Sequence, residues 1–191
     1  FNNPEASASS TIFRAIRSFT EFPGLKLSTL AITKASKEFW RLKKDFAEVS
    51  DFDLALDDSF KATLRPYQQE GYEWLAKLSQ LGLGACLADD MGLGKTVQTL
   101  AVLHKFRKRG ASLVVAPTSL QINWRNEAKK FAPELNVYLY REGDRDLNTM
   151  ALGSSDVVLI SYGLLLREAS RFSKIFWNIV CLLYTSDAAD D

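Results

Sequence analysis

The sequence is poor in the features that secreted, metal-binding and membrane proteins usually carry. It has two cysteines and one histidine in 191 residues, and its formal net charge is only +1. Two cysteines do not make a disulfide framework and suit a reducing cytosol, and one histidine argues against a histidine-rich metal site. The apolar runs are far shorter than the roughly 20 residues that cross a bilayer. We expect the histidine, His104, to be exposed or half-packed on a helix.

What is present has the composition of an ordinary globular domain. Apolar residues make up 47% and charged residues 25% of the chain, which is enough for a real core. A length of 191 residues allows one large domain, or one and a half small ones. Because the net charge is close to zero, any surface for nucleic acid has to be a local patch.

The most informative stretch is LADDMGLGKTVQTL, residues 87–100. The apolar run Gly84–Ala88 predicts a strand, a loop with Gly92 and Gly94 follows, and helical periodicity begins at Lys95. Strand, glycine loop and helix in this order are the context of a phosphate-binding loop. Glycines let the backbone approach an anion closely, and the first N–H groups of the helix point at it.

Two side chains after the loop supply the remaining chemistry. Lys95 would add a positive charge for the outer phosphates, and the Thr96 hydroxyl would coordinate Mg²⁺. The strict pattern G-x-x-x-x-G-K-[ST] is not met, because Asp89 occupies its first glycine position. The local pattern therefore leaves an alternative open, a glycine-rich turn followed by an ordinary lysine.

Residues 1–62 are predicted to form an N-terminal helical segment and a linker. Residues 1–27 open with polar and small side chains, whereas apolar residues spaced by three and four predict an amphipathic helix over Ser28–Val49. Its basic side chains indicate a solvated face or a DNA contact, and the solvated face is favoured. Ser50–Ala62 is acidic and irregular, as expected of a linker.

From residue 63 onward, helices and strands alternate. Helices are predicted from Pro66 to a stop at Gly82, over 95–109, and from about 120 to 131 with Trp124 in the core. Alternation of this kind predicts an α/β fold with a parallel sheet and helices on both faces, and ligands of such sheets bind beyond the carboxyl ends of the strands. The further predicted strands are Ser112–Ala116, Asn136–Tyr140, Asp156–Ile160 and Phe176–Val180.

Four stretches resemble a known family. They are LRPYQQEGYEWL, LADDMGLGKTVQTL, LVVAPTSLQINWRNEAKKF and VVLISYGLL, between about Leu64 and Val180. In this order and spacing they look like the first half of a Swi/Snf-type DNA-dependent ATPase of helicase superfamily two. The resemblance implies an incomplete RecA-like lobe over residues 63–180. Asp89 is the family's own departure from the strict loop, and Asp90 looks more like the bacterial members.

The resemblance also implies ATP and Mg²⁺ as ligands. Gln68 resembles the glutamine that reads the adenine edge, and Lys95 and Thr96, the implied catalytic residues, resemble the phosphate lysine and the Mg²⁺ ligand. The other implied nucleotide-binding residues are those of the loop, Asp90, Met91, Gly92, Leu93 and Gly94.

Two further stretches resemble contacts to double-stranded DNA. Pro117, Thr118 and Ser119 look like a loop that holds one strand by its phosphates, and Ser161 and Tyr162 look like a second contact. Phosphate contacts position the duplex without reading its sequence. Alternatives stay open for two of these residues, since Ser119 could cap a helix and Tyr162 could be a core aromatic.

The resemblance breaks near the end of the chain. In the family, the strand begun by Phe176–Val180 continues with an aliphatic residue and then Asp-Glu, which hold Mg²⁺ and polarise the attacking water. Here Leu182 and Leu183 stand in those places. The tail Cys181–Asp191 resembles translated sequencing-adapter sequence, so we expect it to be non-native and the chain to be truncated. Asp187–Asp190 is not expected to bind metal.

The function implied by the resemblance belongs to a longer parent protein. We expect the parent to hydrolyse ATP with DNA stimulation and to move along double-stranded DNA by opening and closing two lobes. We expect it in the cytoplasm at the nucleoid, away from membranes, with RNA polymerase or other DNA-bound complexes as further partners. The chain itself is expected to have negligible turnover. A nucleotide-regulated binding module and an unrelated phosphate-loop NTPase remain alternatives.

Overall fold

A computed structural model of the chain describes residues 52–90, 92–141 and 152–183. The predicted helix Ser28–Val49, the loop residue Met91 and the sequence Asp187–Asp190 lie outside these ranges. The chain divides into two compact units, 1–47 and 48–191, and every described residue belongs to the second.

The first described helix begins and ends where the local chemistry permits. Helix α1, Pro66–Gln80, has proline in its first turn, where a missing N–H leaves no bond unmade. The side-chain oxygen of Gln68 accepts the N–H of Arg65 at 3.0 Å, which satisfies the backbone at the helix start. The chain leaves α1 through Gly82, whose φ of 67° suits glycine. Both ends agree with the sequence prediction.

The next helix is shorter than predicted. Helix α2, Lys95–Lys105, follows Gly94, and its continuation is broken at Phe106, after which Arg107–Arg109 form a single 3₁₀ turn. The Phe106 side chain is buried in the core, and its backbone leaves the helical region with a φ of −97°. The other helices in the described residues are α3 (Thr118–Phe131), α4 (Tyr162–Arg167) and α5 (Ala169–Phe172).

The described strands form one parallel sheet. They are β1 (Ser112–Val115), β2 (Asn136–Leu139), β3 (Asp156–Ile160) and β4 (Ile179–Leu182), in the order β2-β3-β1-β4. The central strands β1 and β3 are buried along their whole length, as their continuous apolar runs predict, whereas β2 and β4 are only partly covered. Because all pairings are parallel, the carboxyl ends of the strands meet at one edge.

Helices cover both faces of this sheet. On one face, Leu100 of α2 and Trp124 of α3 share a cluster with Val114 of β1. On the opposite face, Phe172 of α5 packs in a cluster with Val115. This arrangement confirms the predicted fold class, and Trp124, only 3% exposed, is the predicted core residue.

Two of the predicted strands differ in the structure. Gly84–Ala88 is not a strand, and several of its residues are exposed. An apolar run becomes a strand only where its backbone finds a ladder partner, and no described strand pairs with it. The last strand begins at Ile179 rather than Phe176, because Trp177 is held elsewhere. Its indole N–H donates to the Phe172 carbonyl at 2.9 Å, and the two rings stack.

Residues 52–62, suggested by the sequence as part of a linker, pack against the helices. The Tyr72 hydroxyl donates to the Leu54 carbonyl at 2.7 Å, and the Lys61 N–H donates to the Phe131 carbonyl at 2.7 Å. Phe60 is 8% exposed and belongs to the core cluster. A domain boundary near residue 62 stays a prediction, and the described part of this segment stabilises α1 and α3.

His104 is fully buried, so the prediction of an exposed or half-packed side chain is wrong. Its Nε2 lies 3.0 Å from Asp57 Oδ1, and Arg107 donates to the other oxygen of the same carboxylate at 2.6 Å. The buried Nδ1 has no hydrogen-bond partner among the described residues. A second proton would be unsatisfied there, and burial lowers the pKa of His104. Helix periodicity could not show this, because Asp57 lies 47 residues earlier.

We expect the free energy of unfolding to decrease as the pH falls from about 7.5 to about 5.5. In the unfolded chain the pKa of His104 returns to about 6.5, so the unfolded state takes up a proton that the folded state disfavours. Neutral His104 makes its full contribution to the free energy of unfolding above the unfolded-state pKa. This contribution is lost as the pH falls toward the lower pKa of the folded state. Urea unfolding at the two pH values measures it.

The His104→Gln variant is the control for this pH dependence. His104 is the only histidine of the chain, so the variant has no imidazole to titrate. Its difference in stability between the two pH values is expected to shrink. An equally steep loss in His104→Gln would contradict the assignment to His104.

Candidate functional site

Two of the predicted site loops lie side by side at one edge of the sheet. Pro117 follows β1 and Ser161 follows β3, and because these strands are parallel neighbours, the loops that follow them lie side by side. We expect the start of α2 at the same edge, since ligands of parallel sheets bind beyond the carboxyl ends of the strands. Leu100 of α2 belongs to the core cluster against which Cys181 of β4 also packs.

The loop before α2 turns at two glycines with positive φ, 83° at Gly92 and 78° at Gly94. At Gly94 a Cβ would also meet the Nε2 of Gln68, so the end of that side chain would have to move. At Gly92 a Cβ would meet no atom within 4 Å, so only the backbone conformation favours glycine. The two turns bring the loop to the start of α2, where N–H groups lack helical acceptors.

We expect Gly94→Ala to weaken nucleotide binding more than Gly92→Ala. Both variants strain a left-handed backbone by about 1–2 kcal/mol, but only Gly94→Ala also collides with Gln68. Titration with a fluorescent ATP analogue, together with thermal unfolding of both variants, measures the difference. Equal losses of affinity would show that the contact between Gly94 and Gln68 does not shape the loop.

Lys95 lies against the main chain of this loop. Its ammonium donates to the carbonyl of Asp89 at 2.6 Å and to that of Asp90 at 3.0 Å. Hydrogen bonds from an ammonium to phosphate oxygens are stronger than those to neutral carbonyls, so the lysine can exchange these partners for an anion. Thr96 follows in the first turn of α2 and is half-buried, and Leu93 in the loop is 38% exposed.

Gln68 connects the start of α1 to this loop. Its side-chain amide donates to the Leu93 carbonyl at 3.1 Å and to the Tyr67 hydroxyl at 3.3 Å, while its oxygen accepts the Arg65 N–H. The side chain is 8% exposed. The structure therefore gives Gln68 a contact with the loop, and its role toward adenine stays a prediction.

Sequence reasoning missed Tyr67. Its side chain, in the first turn of α1, is 38% exposed and lies next to Gln68. An exposed aromatic ring beside an anion-binding loop offers a flat surface on which a nucleobase could stack. The position of Tyr67 in the first turn, before the helix reaches the core, was the sequence signal that could have predicted its exposure.

The loop after β1 presents its polar side chains to solvent. Pro117 is half-buried and is the N-cap residue of α3, whereas Thr118 and Ser119 are exposed. Because the cap position belongs to Pro117 and no side-chain cap bond forms, the alternative that Ser119 caps the helix is wrong. The exposed hydroxyls leave a phosphate contact available, and that contact stays a prediction.

The polar groups of the two residues after β3 form hydrogen bonds within the fold. Ser161 is the N-cap of α4, and its hydroxyl accepts the N–H of Leu164 at 3.3 Å. The Tyr162 hydroxyl donates to the Leu183 carbonyl at 3.0 Å, and both Ser161 and Tyr162 are half-buried. Tyr162 thus ties the loop after β3 to the end of β4, and a role in DNA binding stays a prediction.

The two positions where carboxylates were expected lie on opposite faces of the sheet. Leu183 packs with Cys181 and Ile179 against the cluster that contains α2, whereas Leu182 is 63% exposed. The backbone N–H of Leu183 donates to the Val115 carbonyl at 2.8 Å, so the pairing with β1 extends to this residue. Of the two positions, only 183 therefore faces α2, the helix after the phosphate loop. The spacing of the motif did not show which of the two would do so.

The residues present fit a nucleotide better than they fit a metal ion. Positive φ at Gly92 and Gly94, the start of α2 and the Lys95 ammonium suit phosphate oxygens. Across residues 52–90, 92–141 and 152–183, no group of three or more His, Cys, Asp or Glu side chains could hold a metal ion. Mg²⁺ would thus depend on Thr96 and on the phosphates themselves.

Comparisons with known proteins agree with the observed fold. Residues 67–183 match the family described as SNF2-related domain. The chain is 46% identical over 131 residues to the Bacillus subtilis (strain 168) protein named "Putative ATP-dependent helicase/translocase YwqA", covering 65% of this chain and 14% of that protein. It is 35% identical over 178 residues to the Aspergillus fumigatus TATA-binding protein-associated factor mot1, covering 84% of this chain and 9% of that protein.

A solved structure has the same fold. The Sulfolobus solfataricus SWI2/SNF2 ATPase core in complex with dsDNA superposes with a TM-score of 0.60 at 41% identity, covering 69% of this chain and 28% of that one. This match bears out the predicted RecA-like lobe. The chain spans 14% and 9% of the two curated relatives, so it corresponds to a small part of each. Among the described helices, none is long and apolar enough to span a membrane.

Proposed function

Since the chain belongs to the SNF2-related domain family, we propose that it is the nucleotide-binding lobe of an ATP-dependent motor that moves along double-stranded DNA. Membership of this family removes the unrelated phosphate-loop NTPase as an alternative. The names and titles of the relatives, a helicase/translocase and an ATPase core bound to dsDNA, support both parts of the proposal.

One observation supports the proposal: the loops after β1 and β3 lie side by side at one edge of the sheet, at the carboxyl ends of neighbouring parallel strands. The loop before α2 is proposed to lie beside them, since ligands of parallel sheets bind at that edge. A nucleotide at the loop before α2 and DNA phosphates at the other two would contact the same packed unit. A shift of the loop before α2 can then be transmitted to the DNA contacts through α2 and the sheet.

Each residue has a separate task in this proposal. Bound ATP with Mg²⁺ supplies a phosphoanhydride bond whose cleavage provides the energy for movement. The backbone at Gly92 and Gly94 binds the phosphates, Lys95 neutralises their charge, and Thr96 orients the metal. Gln68, which contacts the loop through the Leu93 carbonyl, and the exposed ring of Tyr67 would hold the base beside the loop.

The chain by itself is proposed to bind ATP without turning it over. Leu182 and Leu183 stand where the family's carboxylates were expected, so residues 181–183 supply no carboxylate to polarise water. The same observation supports a second candidate function, a binding module whose partner affinity depends on nucleotide. The parent motor is further proposed to work in the cytoplasm at the nucleoid and to meet RNA polymerase or other DNA-bound complexes there.

We expect the ATPase activity of the whole protein encoded by the source gene to be stimulated by duplex DNA. Replacing both Thr118 and Ser119 by alanine should lower this stimulation by about tenfold, because two exposed donors to phosphate are lost. ATP affinity without DNA should stay the same. Asn123→Ala, one turn further along α3, exposed and hydrogen-bonded to Glu127 at 3.1 Å, is the matched control.

The outcomes separate the candidates. An ATPase that is indifferent to DNA would contradict the motor proposal. A protein that never hydrolyses ATP but changes its affinity for DNA when ATP is added would favour the binding module. Stimulation that survives in the Thr118 and Ser119 double variant would remove the loop after β1 from the DNA contact.

A further inference from the structure

Gln98 occupies an unusual position in the second turn of α2. Its side chain is fully buried, its Nε2 lies 3.5 Å from the Oδ2 of Asp89, and its Oε1 has no hydrogen-bond partner among the described residues. A buried amide oxygen without a partner costs stability, whereas an apolar side chain of similar size would not carry that cost. Packing alone therefore does not account for a glutamine here.

Gly71 of α1 makes the room for this amide. A Cβ at Gly71 would meet the Oε1 of Gln98, so any other residue at position 71 would push the end of the glutamine side chain aside. The φ of Gly71 is not in the left-handed region, so space, and not backbone conformation, favours glycine here. Helix α1 thus confines the Gln98 side chain and limits where its Nε2 can point.

Asp89 is contacted from two sides. Its carboxylate faces the amide of Gln98, and its main-chain carbonyl accepts the ammonium of Lys95 at 2.6 Å. Asp89 also stands where the strict phosphate-loop pattern has glycine. A glycine could not make the first of these contacts, so the departure from the pattern and the buried glutamine belong to one arrangement.

We infer that Gln98 is a positioning residue that holds the phosphate loop through the Asp89 carboxylate, in a slot that Gly71 keeps open. Gln98 does not touch the nucleotide in this scheme. It sets the conformation of Asp89, and thereby the carbonyl that holds Lys95 before an anion arrives. The inference rests on the proposed nucleotide function of this loop, and it also makes a prediction about the loop in the absence of nucleotide.

The first test compares the 191-residue protein with its Gln98→Met variant without nucleotide. Amide hydrogen exchange in peptides that cover the loop before α2 should become about three- to tenfold faster, because the loop loses one polar contact to a charged group. Affinity for ATP should fall by a similar factor, while the urea midpoint stays equal or rises, since an unsatisfied amide is removed. Gln121→Met is the control, because Gln121 is a buried glutamine of α3 that bonds to the Ala116 carbonyl at 3.1 Å.

The second test exchanges the two polar groups. Gln98→Glu places two carboxylates side by side and should weaken ATP binding further than Gln98→Met does. Adding Asp89→Asn should restore affinity toward the original value, because the asparagine amide can donate to the new glutamate. A glutamine that only fills space would not show this rescue.

Either test can overturn the inference. Unchanged loop exchange in Gln98→Met, or a double variant no better than Gln98→Glu, would show that Gln98 does not position Asp89. A wild-type chain that fails to bind ATP would instead contradict the proposed function. In that case the exchange measurement still decides the role of Gln98.

Discussion

The Lys95→Ala variant is expected to bind ATP about 10- to 100-fold more weakly than the unchanged chain. Among the described residues, the ammonium of Lys95 is held by the carbonyls of Asp89 and Asp90, which it can exchange for phosphate. Hydrogen bonds to charged groups contribute about 1.5–3 kcal/mol each, which corresponds to that range of affinity. Isothermal titration calorimetry with ATP measures the change.

A matched control lies at the other end of the same helix. Lys105 also donates to a main-chain carbonyl, that of Ala55 at 2.8 Å, but it is ten positions away from the loop. Lys105→Ala should lower stability slightly and leave ATP affinity unchanged. If Lys95→Ala bound ATP as tightly as the unchanged chain, the loop before α2 would not be the phosphate site, and the proposed function would fall with it.

The second large effect concerns the end of β4. Leu183→Asp is expected to make ATP binding depend on Mg²⁺, with affinity rising by about tenfold when the metal is added, because a carboxylate would join Thr96 on the face that α2 covers. In the unchanged chain the Mg²⁺ effect should be small, since no described carboxylate cluster can hold the ion. Titrations with and without Mg²⁺ give the ratio directly.

Leu182→Asp is the control for this prediction. It introduces the same charge one residue earlier, on the opposite face of the sheet, where the side chain is 63% exposed. We expect no gain of Mg²⁺ dependence in this variant. A larger gain in Leu182→Asp than in Leu183→Asp would contradict the alternation of β4 and place the expected carboxylate at position 182.

The local patterns of the chain predicted most elements well, and their failures have a common cause. Asp156–Ile160 was predicted with the bounds that the structure shows, and Pro66 and Gly82 mark the ends of α1. These signals are local, since periodicity, proline and glycine act through neighbouring residues. Gly84–Ala88 was predicted as a strand on equally good local grounds, but strand formation needs a partner that local patterns do not contain.

The candidate site shows the same division. The spacing of Gly92, Gly94 and Lys95 was enough to predict the phosphate loop, because glycine and lysine act there through their own backbone freedom and charge. The spacing could not predict that a Cβ at Gly94 would collide with Gln68, because that contact joins residues in two different helical segments. It also could not distinguish Leu182 from Leu183, since only the pairing of β4 with β1 decides which side chain faces α2.

The sequence by itself determined the kind of protein this is. Its glycine loop, its alternation of apolar runs with amphipathic stretches, and its four family-like motifs are properties of short segments, and they specify a nucleotide-binding α/β lobe. Only the tertiary structure decided the environments of His104, Gln98 and Leu183. Each of these depends on residues distant in sequence, Asp57, Gly71 and Val115 respectively, and such contacts form only when the helices pack on the sheet.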